Sequence, residues 1–173
     1  MQKVYIILTY TGTILAKLVR GYTRKEYAHV SLALDKDLNE MYSFGRLNPY
    51  NPFIGGFVHE SIDYGTFKRF SKTKTKIYSL EVNDEQYNQM KKIIEDINNN
   101  KNNYRFNVLG IFFAAVHLKL KRERCFYCAE FVKYVLENSD LKIDLPEIVK
   151  PDDFNKIADL QEIYTGVLKY YKM

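Results

Sequence analysis

Only two of the 173 residues are cysteines, Cys125 and Cys128, three positions apart. A pair that close does not make a disulfide scaffold. Three readings are left: a redox C-x-x-C, half of a metal site, or a thiol with chemistry of its own. The redox reading is the poorer fit, because the pair follows a basic stretch and not a strand of a βαβ unit. A zinc site would lack a ligand, since no second C-x-x-C or H-x-x-H pair exists. No metal or cofactor is therefore expected. Tryptophan is absent, and the 15 Tyr and 11 Phe carry all the aromatic content. Tyrosine buries its ring and keeps a wet hydroxyl, which suits a polar-edged pocket. No apolar run approaches the roughly 20 residues of a membrane-spanning helix. The longest, Val108 to Val116, fits a buried helix. The opening Met1-Gln2-Lys3 leads into only five apolar residues, Val4 to Leu8, too few for a secretion signal. A cytoplasmic protein is the expectation, without membrane insertion. Internal repeats and linkers are missing too, so residues 1–173 are expected to form one domain with one sizeable core.

What is present is ordinary for a globular chain: 46% apolar and 27% charged residues, with a net charge of +5. The basic residues are spread, with two denser stretches. Lys68 to Lys76 alternates Lys with Thr over its second half, the pattern of a strand's solvent face rather than of a nucleic-acid surface. Lys119 to Arg124 lies just before the cysteines, where positive charge favours a thiolate. No nucleic-acid partner is expected.

Lys3 to Tyr10 reads as a buried strand. Thr13 is a helix cap, Ile14, Leu15, Leu18 and Val19 mark one helical face, and Gly21 is a stop. Thr23 and Glu26 have capping-box spacing for a single turn. His29 to Asp35 and Met41 to Arg46 form a hairpin around the polar turn Lys36 to Glu40. Asn48 to Pro52 reads as a rigid extended loop. Gly55 to Ser61 and Lys74 to Val82 are further strands. Asp84 is expected to cap a helix with apolar face Tyr87, Met90, Ile93, Ile94 and Ile97. Asn98 to Asn103 reads as a loop. An apolar helix is expected over Asn107 to Leu118, and another begins near Cys125 with Cys128, Phe131, Val132, Val135 and Leu136 on one side. Pro151 to Phe154 opens a short helix, and Gln161 to Tyr171 closes the chain as a strand. Strands fall in the first half and helices in the second, which points to α+β.

Cys128 occupies the first turn of its helix, where unpaired N–H groups and the dipole stabilise an anion. Its backbone N–H can also face a developing oxyanion. The plain alternative is a structural cysteine on an apolar helix face. His29 opens a strand after a tight turn, and a base at a strand end can face a helix N-terminus across a cleft. The alternative is a hairpin histidine bonded to backbone. His59 reads as exposed, and His117 as a cation at a helix C-terminus. A third polar group would fix the imidazole. Glu60 is the first choice and Asn48 the second, while Ser43 lies nearer the turn. Tyr42, Arg46 and Asn48 are candidate substrate-binding residues. Arg46 can hold a carboxylate through its planar fork, or serve in a structural salt bridge. Thr9 to Gly12 either lines the cleft or is a plain turn.

These blocks together resemble a known family. They are His29-Val-Ser-Leu-Ala-Leu-Asp35, Met41-Tyr-Ser-Phe-Gly-Arg46, Asn51-Pro-Phe53, Gly56-Phe-Val58 with Glu60, Cys128-Ala-Glu-Phe-Val132, Pro151-Asp-Asp-Phe154 and Tyr164-Thr-Gly166. Their order, with the His strand before the Cys helix, resembles the circularly permuted NlpC/papain-like hydrolases. The resemblance implies an antiparallel sheet of about five to six strands packed against helices. It implies Cys128 as nucleophile and His29 as base, with Phe131-Val132 at the offset that excludes Cys125. A thiol hydrolase of a peptide or amide bond follows, acting on a small peptide or amino-acid-containing substrate. The same fold admits a non-catalytic binding domain or a lipid acyltransferase.

Overall fold

The computed structural model describes residues 1–107, 110–111 and 122–171. In chain order the strands are β1 (Gln2–Tyr10), β2 (His29–Ala33), β3 (Met41–Asn48), β4 (Asn51–Glu60), β5 (Lys74–Val82), β6 (Arg105–Phe106), β7 (Cys125–Phe126) and β8 (Gln161–Val167). The α-helices are α1 (Ile14–Thr23), α2 (Gly65–Arg69), α3 (Asp84–Asn99) and α4 (Cys128–Glu137). Short 3-10 turns occupy Lys101–Asn103, Pro151–Lys156 and Leu168–Tyr170. The protein is α+β, as its pattern of strands and helices implies. Six strands form one antiparallel sheet in the order β4-β3-β2-β1-β5-β8, and β6 and β7 make a separate parallel pair.

The run Val4 to Leu8 is apolar at every position because both faces of β1 are covered. Val4, Ile6 and Leu8 face α3 and α4, where they join Leu32, Phe44, Ile94, Phe131 and Val135. Tyr5 and Ile7 face the other way and pack with Ala33, Met41, Phe67 of α2, Leu168 and Tyr171. The Lys/Thr alternation ahead of β5 has the same period-two origin. Thr73 and Thr75 are buried, with Thr75 Oγ1 donating to Leu8 O at 2.9 Å, while Lys74 is exposed and Lys76 pairs with Glu162 at 3.2 Å.

Several local expectations are corrected. The buried side of α1 is Ala16, Val19 and Thr23, while Ile14 and Leu18 are 79% and 57% exposed. The helix passes Gly21 and ends at Thr23, where Arg24 takes a left-handed conformation (φ 54°) and supplies the terminating bend. Thr23 Oγ1 accepts from Lys25 N–H and starts no helix of its own. Thr13 is the cap of α1, accepting from Ala16 N–H at 3.3 Å. Asn83 rather than Asp84 caps α3. Its side chain accepts from Gln86 N–H at 2.8 Å and Gln86 Oε1 accepts from Asn83 N–H at 3.0 Å. Asp84 is instead the first helical residue, where its charge complements the helix dipole. Residues Asn48 to Pro52 make a tight turn at Pro49–Tyr50 between two long strands, not an extended loop. Helix α3 continues to Asn99, and β8 ends at Val167 before a 3-10 turn.

The helix expected over Asn107 to Leu118 lies largely outside the described residues, as does His117. Its start is visible: Asn107 Oδ1 accepts from Gly110 N–H at 3.0 Å. No helix among the described residues is long and apolar enough to cross a membrane.

Candidate active site

His29 is the first residue of β2, opposite Thr9 of β1. The chain leading into it is held at two points. Ala28 N–H donates to Thr9 O at 3.0 Å. Tyr27 N–H donates to Asp152 Oδ2 at 3.1 Å, from the buried 3-10 turn that Pro151 opens. The imidazole Nε2 donates to Glu60 Oε1 at 3.0 Å. Glu60 ends β4, and its other carboxylate oxygen accepts the Ser31 hydroxyl. Ser31 lies two residues after His29, so the strand's alternation puts both side chains on one face. That spacing is the signal that would have found Ser31 in the sequence.

Cys128 is the first residue of α4 and is 7% exposed. The first N–H groups of a helix have no partner four residues back, so they stay free for an acceptor. Glu130 fixes the approach to this turn. Its Oε2 accepts from Tyr127 N–H at 3.1 Å and from Asn107 Nδ2 at 3.3 Å. Tyr127 also donates its hydroxyl to Val149 O at 3.0 Å. The basic residue Arg124 precedes the cysteines in a left-handed turn.

Cys128 and His29 line the same cavity, and the sulfur lies close enough to act on the imidazole's titration. Since Glu60 holds Nε2, the nitrogen left for the thiol is Nδ1. Burial by itself disfavours the imidazolium. The Glu60 carboxylate and the Cys128 sulfur outweigh it and push His29 up to about 10. Burial likewise disfavours charge on Glu60. The His29 imidazolium, with the Ser31 hydroxyl, reverses this and holds the carboxyl below its ordinary range. The arrangement therefore stabilises a protonated imidazole beside a sulfur atom.

A cavity of about 70 Å³ opens over this group, lined among the described residues by His29, Glu60, Cys128, Arg46, Thr13 and Phe106, together with flanking apolar side chains. Thr11 borders it as well, so the segment after β1 is both a turn and part of the wall. Arg46 is half-buried here. Its Nη2 donates to Thr13 Oγ1 at 3.5 Å and its guanidinium lies 5.3 Å from the Phe70 ring centroid. No carboxylate among the described residues forms an ion pair with it, so the structural salt bridge is not what holds Arg46.

The other two proposed binding residues stand apart from this cavity. Tyr42 stacks on Phe57 and His59, with centroids 5.8 Å and 4.9 Å away. Asn48 is exposed at the β3–β4 turn, where Oδ1 accepts from Tyr50 N–H at 2.8 Å. It does not touch His29, and the contact to the imidazole comes from Glu60. His59 is exposed and bonded to Asn39 O at 2.6 Å. Cys125 is buried in β7. Compared with known proteins, the chain matches no family model, no curated protein and no solved structure.

Proposed function

We propose that the protein is a thiol hydrolase of amide or peptide bonds, built on a permuted papain-like arrangement. The observation that carries the reading is Glu60 bonded to His29, with His29 and the helix-starting Cys128 lining one cavity. With the Cys128 proton already resting on His29 Nδ1, the sulfur attacks the substrate carbonyl carbon. The oxyanion faces the Cys128 N–H. The carbon–nitrogen bond then breaks, and the leaving amine takes the proton from His29. Water, deprotonated by His29, attacks the thioester. The carboxylic acid leaves and the thiol is restored. Glu60 keeps the ring oriented and stabilises its cation.

The test is iodoacetamide alkylation at pH 7, with mass spectrometry separating Cys128 from Cys125. Replacing His29 by Ala is expected to slow Cys128 by about tenfold or more, the scale of losing a positioned base. Equal rates in both proteins would sink the hydrolase and leave a binding domain on the same fold. One observation favours a second enzymatic reading. Ile14 and Leu18 are exposed on α1, whose Leu15 and Ala16 border the same cavity, as suits a lipid acyltransferase or thioesterase. An acyl-acceptor screen separates the two, because both pass through the same thioester.

A further inference from the structure

One short run of chain holds the approach to both members of the pair. Tyr127, the residue before Cys128, donates its hydroxyl to Val149 O at 3.0 Å. Tyr27, two residues before His29, donates its backbone N–H to Asp152 Oδ2 at 3.1 Å. Both acceptors lie within Val149–Asp152. That run is itself fixed. Val149 and Phe154 are buried in the main core. Lys150 N–H donates to Asp153 Oδ2 at 2.9 Å, Asp153 N–H donates to Lys150 O at 3.0 Å, and Pro151 locks φ between them. Asp152 and Asp153 are both buried. Asp153 pairs with Lys156 Nζ at 3.1 Å. Asp152 has no such cation among the described residues, and its carboxylate is aimed at a backbone N–H. A buried carboxylate is costly, and a charge-assisted hydrogen bond is what offsets it here.

We propose that Val149–Asp152 is a brace that sets the separation of Cys128 and His29, with Tyr127 and Asp152 as positioning residues, the inference resting on those two being nucleophile and base. His29 is the first residue of β2, and the hydrogen bonds to β1 end at Ala28. Asp152 holds the chain one residue further out. Cys128 is the first residue of α4. Both stand at the end of an element, where backbone opens most readily. Tying both ends to one rigid turn keeps them in register, and a misplacement of about 1 Å is enough to impair a reacting pair. Neither Tyr127 nor Asp152 lines the cavity that holds His29 and Cys128, so both act through their neighbours.

The experiment is the pH profile of Cys128 alkylation by iodoacetamide, with the His29 imidazole followed by NMR. It compares the native chain with Tyr127→Phe, Asp152→Ala, Asp152→Asn and the double variant of Tyr127→Phe with Asp152→Ala. Tyr127→Phe and Asp152→Ala are each expected to slow alkylation at pH 7 by about fivefold, the scale of one buried hydrogen bond. Each should also move the profile up toward the ordinary thiol range, near about 8.5, and lower the imidazole titration. The double variant should lose less than the product of the two effects, because the second change meets a brace already loosened. Asp152→Asn keeps an acceptor oxygen and should recover most of the rate. Asn83→Ala removes a helix cap remote from the site and should leave the profile in place, which separates positioning from general loss of stability. A profile unmoved in Tyr127→Phe and Asp152→Ala, whatever their urea midpoints, would overturn the brace and leave the hydrolase standing. Effects that multiply in full would overturn it too, by showing two independent contacts. Should Asp152→Ala fail to fold, Tyr127→Phe decides, and an unmoved profile there overturns the brace. Native alkylation that ignores His29→Ala would overturn the hydrolase itself, and the brace with it.

Discussion

Glu60 reaches His29 across an intervening strand. Glu60 ends β4 opposite Met41 and His29 begins β2, yet Nε2 and Oε1 are 3.0 Å apart over β3. The strand between them presents Gly45 at the crossing. A Cβ built there would sit 3.4 Å from His29 Cε1, 3.5 Å from Ser43 Oγ and 3.8 Å from Glu60 Oε1. One methyl group thus makes ordinary contact, and anything longer occupies the space of the pair.

Gly45→Ala is expected to keep the His29–Glu60 bond, and Gly45→Leu to break it. The readout is the His29 imidazole pKa by NMR, which should fall in the leucine variant and stay high in the alanine variant. Two equal values would show that Gly45 does not shape the contact.

Glu60→Gln retains the size of the side chain and removes its charge. His29 should then titrate well below the value of about 10 that Glu60 and Cys128 sustain. Cys128 alkylation should slow less than in His29→Ala, since the ring itself remains. A His29 titration unmoved by this change would mean that Glu60 neither orients nor charges the imidazole.

The same pair predicts how stability varies with pH. His29 is raised in the folded state, so its contribution is full below its unfolded value, near 6.5, and is lost as pH climbs through about 10. Glu60 is lowered, so its contribution is present above the ordinary glutamate range and is lost as pH falls through the folded value. Urea midpoints of the native chain should therefore fall between pH 7 and pH 10.5. The fall should be smaller in His29→Ala, and identical slopes would contradict the raised imidazole.

Gly55 lies beneath the Phe106 ring, close enough that an added Cβ would overlap it. Phe106 also lines the cavity over Cys128. Gly55→Ala is expected to cost about 1–3 kcal/mol in urea unfolding, as overpacking does, and to alter Cys128 alkylation as the ring moves. Unchanged stability would show that Phe106 gives way freely.

Asn83→Ala removes the reciprocal cap of α3. A loss of about 1 kcal/mol is expected in chemical denaturation. No change in Cys128 reactivity should accompany it, because α3 does not line the cavity at that cysteine. A larger loss would assign Asn83 a role beyond its cap.

Much of this protein was legible residue by residue because it depends on neighbours in the chain. The all-apolar run of β1 told of a strand covered on both faces. The spacing of Phe131, Val132, Val135 and Leu136 marked the helix that carries Cys128, although it begins at Cys128 and not near Cys125, which lies in β7, and the Lys36–Glu40 turn fixed the hairpin that carries His29. Local pattern misled on α1, where apolar Ile14 and Leu18 face solvent. A helix of ten residues has more apolar positions than the small cluster of Ala16, Val19 and Ala28 buries, and sequence does not say which are left over. The third residue of the site was likewise undecided. Glu60 and Asn48 both carried suitable chemistry. The choice rested on strand order, on the register that sets Glu60 opposite Met41, and on the missing side chain at Gly45. Those are long-range facts, fixed by the packing of the whole sheet. The sequence alone offered Cys128 and His29 as the candidate pair; only the tertiary structure decided that Glu60 meets His29 and that Arg46 faces the same cavity without a carboxylate partner among the described residues.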